Sequence, residues 1–498
     1  MQTWMEGYES DIEYTTGYYR EQEPNFLALC AATHGLQTLD LEKPFTYLEL
    51  GCGYGMTSLI MAANYPHAQF IAVDFNPTHI AQATSLASEA GITNVTFLEK
   101  SFAQLANDPS TLPQCDFISL HGIFTWVSDE NRQHIVDICE RHLKSGGIVY
   151  NSYNAKPGWS IAEPIQKLLY NTSKQFSGSS LERFDQSVKL IQQLQAVKPK
   201  FFTGNETAIQ KRMDGLIAKD RHYLVHEYLH EGWRAFYFTE VAGWLRQAKL
   251  EFIGGASPTD ALSRTQLSNT VDQLLEQIHD KDTRELYLDI VKNTVFRRDI
   301  FTRGFINKLK PNDQLRWFNN SHWMLTKPAT FEETAFKFKP ALATDLYRSL
   351  LDHLSSGVCS FQTLISDKNR RDSVSALLQL YQANMIAPCY PTTQTAQAQK
   401  LNQVLIKREQ LLIALPLARG SLRLKPFDAQ FYGFALQLKT QEATKLAQAV
   451  FQDLEKNQMT INHKGETLRG IAMHNHLKNL ATKWCSDVLP ILKQGGAI

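Results

Sequence analysis

Residues 226–230, HEYLH, fit the pattern H-E-x-x-H, in which two histidines one helical turn apart bind zinc and the glutamate activates water. A metzincin-type extension needs a glycine and a third histidine downstream, but Trp233 and Phe236 occupy those positions. Gly232 is predicted to end the helix directly after the motif. We therefore interpret HEYLH as the end of a structural helix without a catalytic metal. His222 extends the same helix face by one turn, which leaves an adventitious metal site open.

A more specific pattern lies at residues 45–60, FTYLELGCGYGMTSLI, where an apolar strand leads into a glycine-rich loop and then a helix. Gly51, Gly53 and Gly55 allow a tight turn and a close approach of the backbone to a ligand. The spacing G-x-G-x-G lacks the third glycine of the dinucleotide pattern G-x-G-x-x-G. A second strand, FIAVDF, ends in Asp74, and a carboxylate ~20 residues after such a loop is typical of a ribose-binding residue.

The charge at the end of the first strand favours a methyl donor over a dinucleotide. Glu49 would repel a pyrophosphate, whereas it tolerates a cationic sulfonium ligand. The stretches YLELGCGYG and FIAVDF resemble motifs I and II of class I S-adenosylmethionine-dependent methyltransferases. The resemblance implies S-adenosyl-L-methionine as the cofactor, with its methionine part at the glycine loop and its ribose at Asp74. An unliganded or nucleotide-binding Rossmann-like domain is the alternative.

Two further stretches narrow the resemblance. The first stretch comprises HGIFTWV (121–127) and YNSYNAKPGW (150–159), and the second is the region 222–255. They are similar to bacterial protein lysine methyltransferases of the rickettsial outer-membrane-protein type. That group carries a methyltransferase regulatory domain. The resemblance implies methyl transfer to lysine side chains of a protein substrate. A small-molecule N- or O-methyltransferase and a non-catalytic, S-adenosylmethionine-binding regulatory protein are the alternatives.

The resemblance and the expected chemistry together give a set of candidate site residues. A lysine amine has a reference pKa of ~10.4 and must lose its proton before it attacks a methyl group, and aromatic walls make the ammonium form costly. The predicted catalytic residues are His121, Trp126, Tyr153 and Asn154. The predicted cofactor-binding residues are Tyr18, Glu49, Gly51, Gly53, Gly55, Asp74, Phe75, Ser101, Phe102 and His121. Trp159 and Tyr19 are further candidates for aromatic walls and a lid, although both can equally be packing residues. Ser101 stands where this superfamily often has an acidic residue against adenine.

The composition of the 498 residues is that of a globular protein in a reducing compartment. The net charge is +1 and the charged fraction is 20%, so no global electrostatic argument supports a nucleic-acid or membrane-surface partner. The seven cysteines are scattered and never form a C-x-x-C pair, which indicates no disulfide framework. No signal peptide is recognisable, and no run approaches ~18 apolar residues. We predict a cytoplasmic protein without membrane insertion.

The first third of the chain alternates short apolar runs with amphipathic segments, as doubly wound, mostly parallel sheets do. The predicted strands are 45–50, 69–74, 95–99, 115–121 and 147–153, and the predicted helices are 57–64, 77–90 and 129–143. Residues 180–299 are predicted to be mainly helical. We therefore predict an α/β fold, with a Rossmann-like doubly wound sheet followed by mainly helical accessory domains.

Composition shifts divide the chain into four segments, and the resemblance to the lysine methyltransferases implies the roles of the corresponding domains. They are an S-adenosylmethionine-binding domain (1–165), a helical regulatory and dimerisation domain (166–300), a middle winged-helix-like domain (301–395) and a C-terminal domain (396–498). The polar stretch 391–400 is the best linker candidate, and residues 411–424 suggest a strand pair. Lys368, Arg370 and Arg371 of the middle domain are flanked by acidic residues, so we predict a protein contact there and no nucleic-acid partner. A homodimer is possible.

Overall fold

The computed structural model describes residues 17–263, 268–304, 318–329, 344–365, 370–391 and 393–498. The strands are β1 (Thr46–Leu50), β2 (Gln69–Asp74), β3 (Val95–Glu99), β4 (Cys115–Leu120), β5 (Leu143–Asn154), β6 (Leu250–Gly255), β7 (Phe296–Arg303), β8 (His322–Leu325), β9 (Cys359–Ser360), β10 (Ile386–Cys389), β11 (Leu412–Leu415), β12 (Gly420–Arg423), β13 (Ile461–His463) and β14 (Glu466–Leu468).

The helices are more numerous than the strands. In the first part of the chain they are α1 (Pro24–Thr33), α2 (Met56–Asn64), α3 (Pro77–Ala90), α4 (Phe102–Asn107), α5 (Ile123–Trp126), α6 (Asp129–His142), α7 (Glu163–Ser173), α8 (Ser180–Ala196), α9 (Lys200–Gly204), α10 (Glu206–Ala218), α11 (Arg221–Tyr228), α12 (Phe238–Arg246), α13 (Asp260–Ser263), α14 (Asn269–Glu276) and α15 (Lys281–Lys292). In the last part they are α16 (Thr344–Ser355), α17 (Phe361–Leu364), α18 (Arg370–Gln382), α19 (Ala396–Lys407), α20 (Pro426–Leu438), α21 (Ala443–Lys456), α22 (Gly470–Asp487) and α23 (Leu489–Gln494). No helix in the described ranges is long and apolar enough to cross a membrane.

A seven-stranded mixed sheet in the order β3-β2-β1-β4-β5-β7-β6 forms the centre of the molecule. The pairs from β3 to β5 are parallel, and β7 is antiparallel to both of its neighbours. The predicted α/β class and the five predicted strands are confirmed. The sheet also takes β6 and β7 from the segment that the sequence indicated to be mainly helical, so it crosses the boundary predicted at residue 165. The four-domain division stays a prediction.

Local sequence signals explain why these elements start and stop where they do. Asn76 caps α3 because its side-chain oxygen accepts a hydrogen bond from the Thr78 amide, and Pro77 fits the first helical turn. Gly91 ends the same helix in the left-handed region, with φ +67°. Strands β1 and β2 are almost entirely buried, as strands covered by helices on both faces must be. The elements on either side of the glycine loop are therefore encoded locally.

The helices α7 to α11 pack around a core of their own, beside the carboxyl end of β5. The buried residues of that core include Trp159, Leu169, Phe184, Met213 and Tyr228. Helices α7 and α8 lie against each other, and α11 contacts both of them. These helices form one wall of a cavity next to the sheet.

The later part of the chain is only partly as predicted. Three helices, α16 to α18, accompany the antiparallel sheet β10-β8-β9, but a winged-helix unit stays a prediction and Lys368 lies outside the described residues. The predicted strand pair is confirmed as β11 and β12. The proposed linker 391–400 is already helical from Ala396. Its Gln397 amide donates to Asn94 Oδ1 at 2.6 Å, which attaches this segment to the seven-stranded sheet just before β3.

A buried ion network fastens β7 to helix α15 and to the middle of the sheet. The Arg297 guanidinium contacts Asp299 Oδ2 at 2.9 Å, Asp289 Oδ1 at 2.8 Å and Glu285 Oε2 at 3.1 Å. Tyr153 donates its hydroxyl to Asp299 Oδ2 at 2.6 Å. All of these side chains are buried, so each carboxylate depends on the one guanidinium for compensation.

Substitution of Arg297 tests this network. We expect Arg297→Ala to lower the free energy of unfolding by about 3–5 kcal/mol, because it leaves buried carboxylates without their cation. Urea unfolding followed by tryptophan fluorescence measures the change. The matched control is Arg246→Ala, which removes an exposed pair with Asp282 and should cost at most about 1 kcal/mol. Equal urea midpoints for Arg297→Ala and Arg246→Ala would contradict the conclusion that the buried ion network stabilises the fold.

Candidate active site

The carboxyl ends of β1, β2 and β4 surround a cavity, at the edge where open parallel sheets bind their ligands. All predicted cofactor-binding residues except Tyr18 line it, namely Glu49, Gly51, Gly53, Gly55, Asp74, Phe75, Ser101, Phe102 and His121. Gln22, Thr57 and Trp126 line it as well. The structure therefore brings the residues of the glycine loop, the second strand and the third strand together in one cavity, which we call the cofactor cavity.

The glycine loop leaves no room for side chains at two of its three positions. Gly51, Gly53 and Gly55 all have positive φ, at +75°, +53° and +67°. A Cβ on Gly51 would lie 2.2 Å from Ile123 Cδ1, and one on Gly55 would lie 2.3 Å from Phe97 Cε1. The loop thus needs glycine both for its backbone conformation and for its packing. It forms a cradle of main-chain atoms around the cofactor cavity.

Asp74 is oriented by the backbone of that cradle. Its Oδ2 accepts the Gly53 amide at 2.8 Å, and its Oδ1 accepts the Asn76 amide at 2.9 Å. His79 Nδ1 also lies 3.4 Å from Oδ1. A carboxylate has about four lone-pair sites, so a further donor such as a ribose hydroxyl can still bind. This arrangement fits the ribose of S-adenosylmethionine.

Glu49 lies at the floor of the same cavity and is buried. The Ser58 hydroxyl and the Gln22 amide donate to its carboxylate. Burial raises the pKa of Glu49 to about 7 against the effect of these hydrogen bonds. A positively charged ligand group beside it would favour the ionised carboxylate. The cavity therefore fits a cationic cofactor, as its sequence indicated.

Ser101 has a structural task in addition to lining the cavity. Its hydroxyl accepts the Gln104 amide at 3.2 Å, and the Gln104 side chain accepts the Ser101 amide at 2.9 Å, which forms a capping box for α4. A serine at this position thus stabilises the helix whose first residue, Phe102, also lines the cavity. The role of Ser101 toward adenine stays a prediction.

The neighbouring tyrosines of the N-terminal segment have different positions. Tyr18 lies away from the cofactor cavity, where its hydroxyl donates to Glu23 at 2.5 Å in a separate cavity. Tyr19 lines the cofactor cavity instead, and its ring stacks on His121 with centroids 3.9 Å apart. Adjacent residues of extended backbone point in opposite directions, and Tyr19 has φ −117° and ψ 97°. Of the two tyrosines named as candidates, Tyr19 therefore lines the cofactor cavity and Tyr18 does not.

His121 is a neutral imidazole in this environment. Burial, with a smaller contribution from Arg298, lowers the pKa of His121 to about 3. Its Nδ1 lies 2.9 Å from the Tyr150 hydroxyl, and burial raises the pKa of Tyr150, so that hydroxyl keeps its proton. Tyr150 thus holds the imidazole in place beneath the Tyr19 ring. His121 can act as a hydrogen-bonding or packing group, but not as a cation at neutral pH.

A second cavity of about 720 Å³ adjoins the first, and we call it the acceptor cavity. Tyr19, His121 and Trp126 line both cavities. The acceptor cavity extends past Asn154 to the helices α10 and α11. Its aromatic lining consists of Tyr19, Trp126, Trp159, Tyr223, Tyr228 and Phe296. Ligands in the two cavities would therefore meet at the stacked Tyr19 and His121 rings.

The sequence prediction missed one chemically important residue of this cavity, Glu227. It is the glutamate of HEYLH, and the Asn154 side-chain amide donates to its Oε1. Burial raises the pKa of Glu227 to about 7. The motif itself was the available signal, but it was interpreted only as a helix end. Helix α11 does end nearby, at Tyr228.

The two histidines of HEYLH lie outside the acceptor cavity, whereas the glutamate of the motif lines it. His226 and His230 are buried with ring centroids 5.6 Å apart, and neither lines the acceptor cavity. Burial lowers the pKa of His230, which keeps it neutral. Across the described ranges, no three His, Cys, Asp or Glu side chains are arranged to hold a metal ion.

The predicted catalytic residues separate into two groups. His121, Trp126 and Asn154 line the acceptor cavity. Tyr153 does not, because successive side chains of β5 point to opposite faces and the Tyr153 hydroxyl is committed to Asp299. Trp159 lines the cavity, as an aromatic wall was expected to. The prediction for Tyr153 is corrected to a structural role.

Comparisons with known proteins agree with this geometry. A family model described as a methyltransferase domain matches residues 48–147, and one described as a predicted methyltransferase regulatory domain matches residues 220–303. Together with the fold and the cofactor cavity, these matches define a class I S-adenosylmethionine-dependent methyltransferase. Its cofactor is S-adenosylmethionine.

Individual relatives extend the likeness beyond these two segments. An uncharacterized protein of Synechocystis is 35% identical, with 99% of both chains covered. One from Rickettsia prowazekii is 28% identical over 62% of this chain and 55% of its own length. The fold is similar to that of PKMT2 from Rickettsia typhi in complex with AdoHcy, with a TM-score of 0.73, 18% identity and coverage of 97% and 99%. This chain belongs to the family of class I methyltransferases with a methyltransferase regulatory domain.

Substitution of Asp74 tests the cofactor cavity. We expect Asp74→Ala to weaken S-adenosylmethionine binding by about 1.5–3 kcal/mol, because hydrogen bonds to a charged group are lost. Isothermal titration calorimetry gives the dissociation constant. Glu99→Ala is the matched control, since Glu99 ends the adjacent strand, pairs with Asp74 in the sheet register and is exposed outside the cavity. An unchanged affinity in Asp74→Ala would contradict the assignment of the ribose site.

Proposed function

We propose that this methyltransferase transfers methyl groups to lysine side chains of a protein substrate, and that the acceptor cavity receives the lysine. The observation that carries the proposal is the position of Glu227, a buried carboxylate among aromatic rings in a cavity adjoining the cofactor cavity. A carboxylate with aromatic walls is complementary to the ammonium form of a primary amine, and its charge repels a phosphate. The fold shared with PKMT2 from Rickettsia typhi is consistent with this substrate class.

The aromatic rings of the acceptor cavity are suited to hold an ammonium group. The Arg212 guanidinium already lies over the Trp159 ring, 4.1 Å from its centroid, so this ring face accepts a cation. Tyr223 and Tyr228 lie near Glu227. Burial raises the pKa of both hydroxyls, and the charge of Glu227 raises it further. A lysine stem can pack on these rings while its amine reaches the carboxylate.

Glu227 is the group proposed to take up the amine proton. A lysine amine with a reference pKa of ~10.4 is protonated at neutral pH, whereas the Glu227 carboxylate is largely ionised above its own pKa of about 7. Transfer of one proton to Glu227 leaves a neutral amine with a free lone pair. When bound, S-adenosylmethionine supplies a methyl group on a sulfonium, which is an electrophile for such an amine.

Neighbouring residues position this carboxylate and the amine. The Asn154 side chain holds Glu227, and the Asn154 main-chain amide donates to Thr125 Oγ1 at 2.8 Å, so the amide group is fixed at the end of β5. The stacked Tyr19 and His121 rings line both cavities and lie at their junction, where the amine and the methyl group would meet. Alignment of nucleophile and methyl group supplies much of the rate in such displacements.

The other proposals concern the setting of this reaction. All seven cysteines are free, which supports a reducing, cytoplasmic location. We retain the proposals of a helical regulatory and dimerisation domain, of a possible homodimer and of an acceptor that is not nucleic acid. The near-neutral net charge of +1 supports the last of these.

Substitution of Glu227 tests its role as proton acceptor. For wild type we expect kcat/KM to rise with pH through about 7, because the protonated carboxyl cannot accept the amine proton. The groups around this carboxyl include Arg212, Lys219, Tyr223 and Asn154. Wild type and Glu227→Gln share these groups, so they do not account for a difference between the two pH profiles. Glu227→Gln should lower kcat/KM about 10²-fold or more and remove this rise.

The control for that measurement is Glu231→Gln, an exposed glutamate just beyond the motif, which should keep the wild-type pH profile. A uniform loss of activity in Glu227→Gln with the rise at pH 7 retained would show that the residue is only structural.

Transfer of a radiolabelled methyl group tests the substrate class. The full-length chain is incubated with labelled S-adenosylmethionine and a bacterial lysate, and the products are resolved on a gel and hydrolysed to amino acids. Label in methylated lysine of protein bands, absent with Asp74→Ala, is the expected result. Label confined to small molecules contradicts the proposal.

A further inference from the structure

The acceptor cavity carries more positive charge than an amine pocket needs. Lys211, Arg212, Lys219 and Arg298 line it, and among the described residues Glu227 is its one carboxylate. The whole chain has 51 lysines and arginines against 50 acidic residues, so this imbalance is local. A binding site for an isolated lysine would be expected to show the opposite balance, because cations repel an ammonium group.

Most of these cations come from one face of helix α10 and the residue that ends it. Ala208, Lys211, Arg212, Gly215 and Lys219 all line the cavity, and their spacing of three or four residues places them on a single side of the helix. Ala208 and Gly215 are small, and a Cβ built on Gly215 meets no atom within 4 Å. The helix thus presents charges at its flanks and open space between them.

Three of the four cations, Lys211, Arg212 and Lys219, have no carboxylate oxygen within 4.0 Å in the described part of the chain. Arg298 pairs with Glu21, with Nε and Oε1 3.4 Å apart, and Arg212 covers the Trp159 ring. Lys211 and Lys219 are exposed. Lys219 Nζ lies 5.4 Å from the centroid of the Tyr223 ring, and its charge also acts on Glu227 without a direct ion pair. The charges of Lys211 and Lys219 are available to a ligand that enters the acceptor cavity.

We propose that the acceptor cavity selects lysines flanked by acidic residues, with the target amine at Glu227 and neighbouring carboxylates of the same polypeptide at Lys211 and Lys219. This inference rests on the proposed function. Opposite charges attract an acidic segment, and the same cations repel a lysine within a basic segment. They also lower the pKa of an entering amine, which favours the neutral form that can react.

A nucleic acid would meet the same cations but fits the rest of the cavity poorly. Its phosphates would approach the buried Glu227 carboxylate, and four cations in one recess do not form a stripe that follows a strand. The acidic polypeptide is therefore the ligand that the charges and the carboxylate favour together.

The test compares two fluorescent peptides of equal length, each with one lysine, flanked by glutamates in one and by arginines in the other. Anisotropy with the full-length chain should show about ten-fold tighter binding of the acidic peptide at low salt, and added salt should reduce the difference. Lys211→Ala/Lys219→Ala should weaken binding of the acidic peptide about five-fold. Lys189→Ala/Lys200→Ala removes the same charge from exposed positions outside the cavity and should change nothing.

Each outcome separates this inference from the proposed function. Equal affinity for both peptides, an unaffected Lys211→Ala/Lys219→Ala variant, or displacement of the acidic peptide by a lower concentration of single-stranded RNA would overturn the inference. Methylation of both peptides with equal kcat/KM would also overturn it, while lysine transfer itself would stand. Selective binding of the acidic peptide without methylation would support the charged site and contradict the proposed transfer to lysine.

Discussion

The hydrogen bond from the Gly53 amide to the Asp74 carboxylate is the constraint on which the cofactor cavity depends. It joins the loop after β1 to the end of β2, two places that are adjacent only because these strands pair in parallel. The glycines permit the loop conformation, and the strand pairing fixes where the carboxylate stands. Because both ends of this bond are tied to the sheet, the cavity is largely formed before a ligand enters.

Two buried carboxylates lie on opposite sides of the Tyr19 and His121 rings. Glu49 faces the cofactor cavity and Glu227 the acceptor cavity, and burial raises the pKa of each to about 7. Such groups carry partial charge at neutral pH and respond strongly to an entering cation. The arrangement thus places one ionisable acid beside each of two ligands that are expected to be cationic, with neutral aromatic rings at the junction of the two cavities.

The sequence was sufficient to predict the features that depend on residues close together along the chain. The strand ends, the glycine loop and Asp74 follow from local patterns, and even the bounds of β2, β3 and α3 agree with the structure. Features set by distant residues were missed. Tyr19 rather than Tyr18 meets His121 because of the direction of a single extended residue, and Glu227 became part of the cavity through its contact with Asn154. Nothing in HEYLH alone reveals that contact.

Strand β7 pairs with β5, from Ile148 opposite Thr302 to Asn154 opposite Phe296. The chain between these two strands includes α10 and α11, the helices that line the acceptor cavity. During synthesis, β5 therefore leaves the ribosome long before the strand that covers its edge. Until β7 follows, the nascent catalytic sheet presents an open row of main-chain donors and acceptors, which is a known starting point for aggregation. The segment that matches the regulatory-domain model thus supplies β6 and β7, the two strands that complete the seven-stranded sheet.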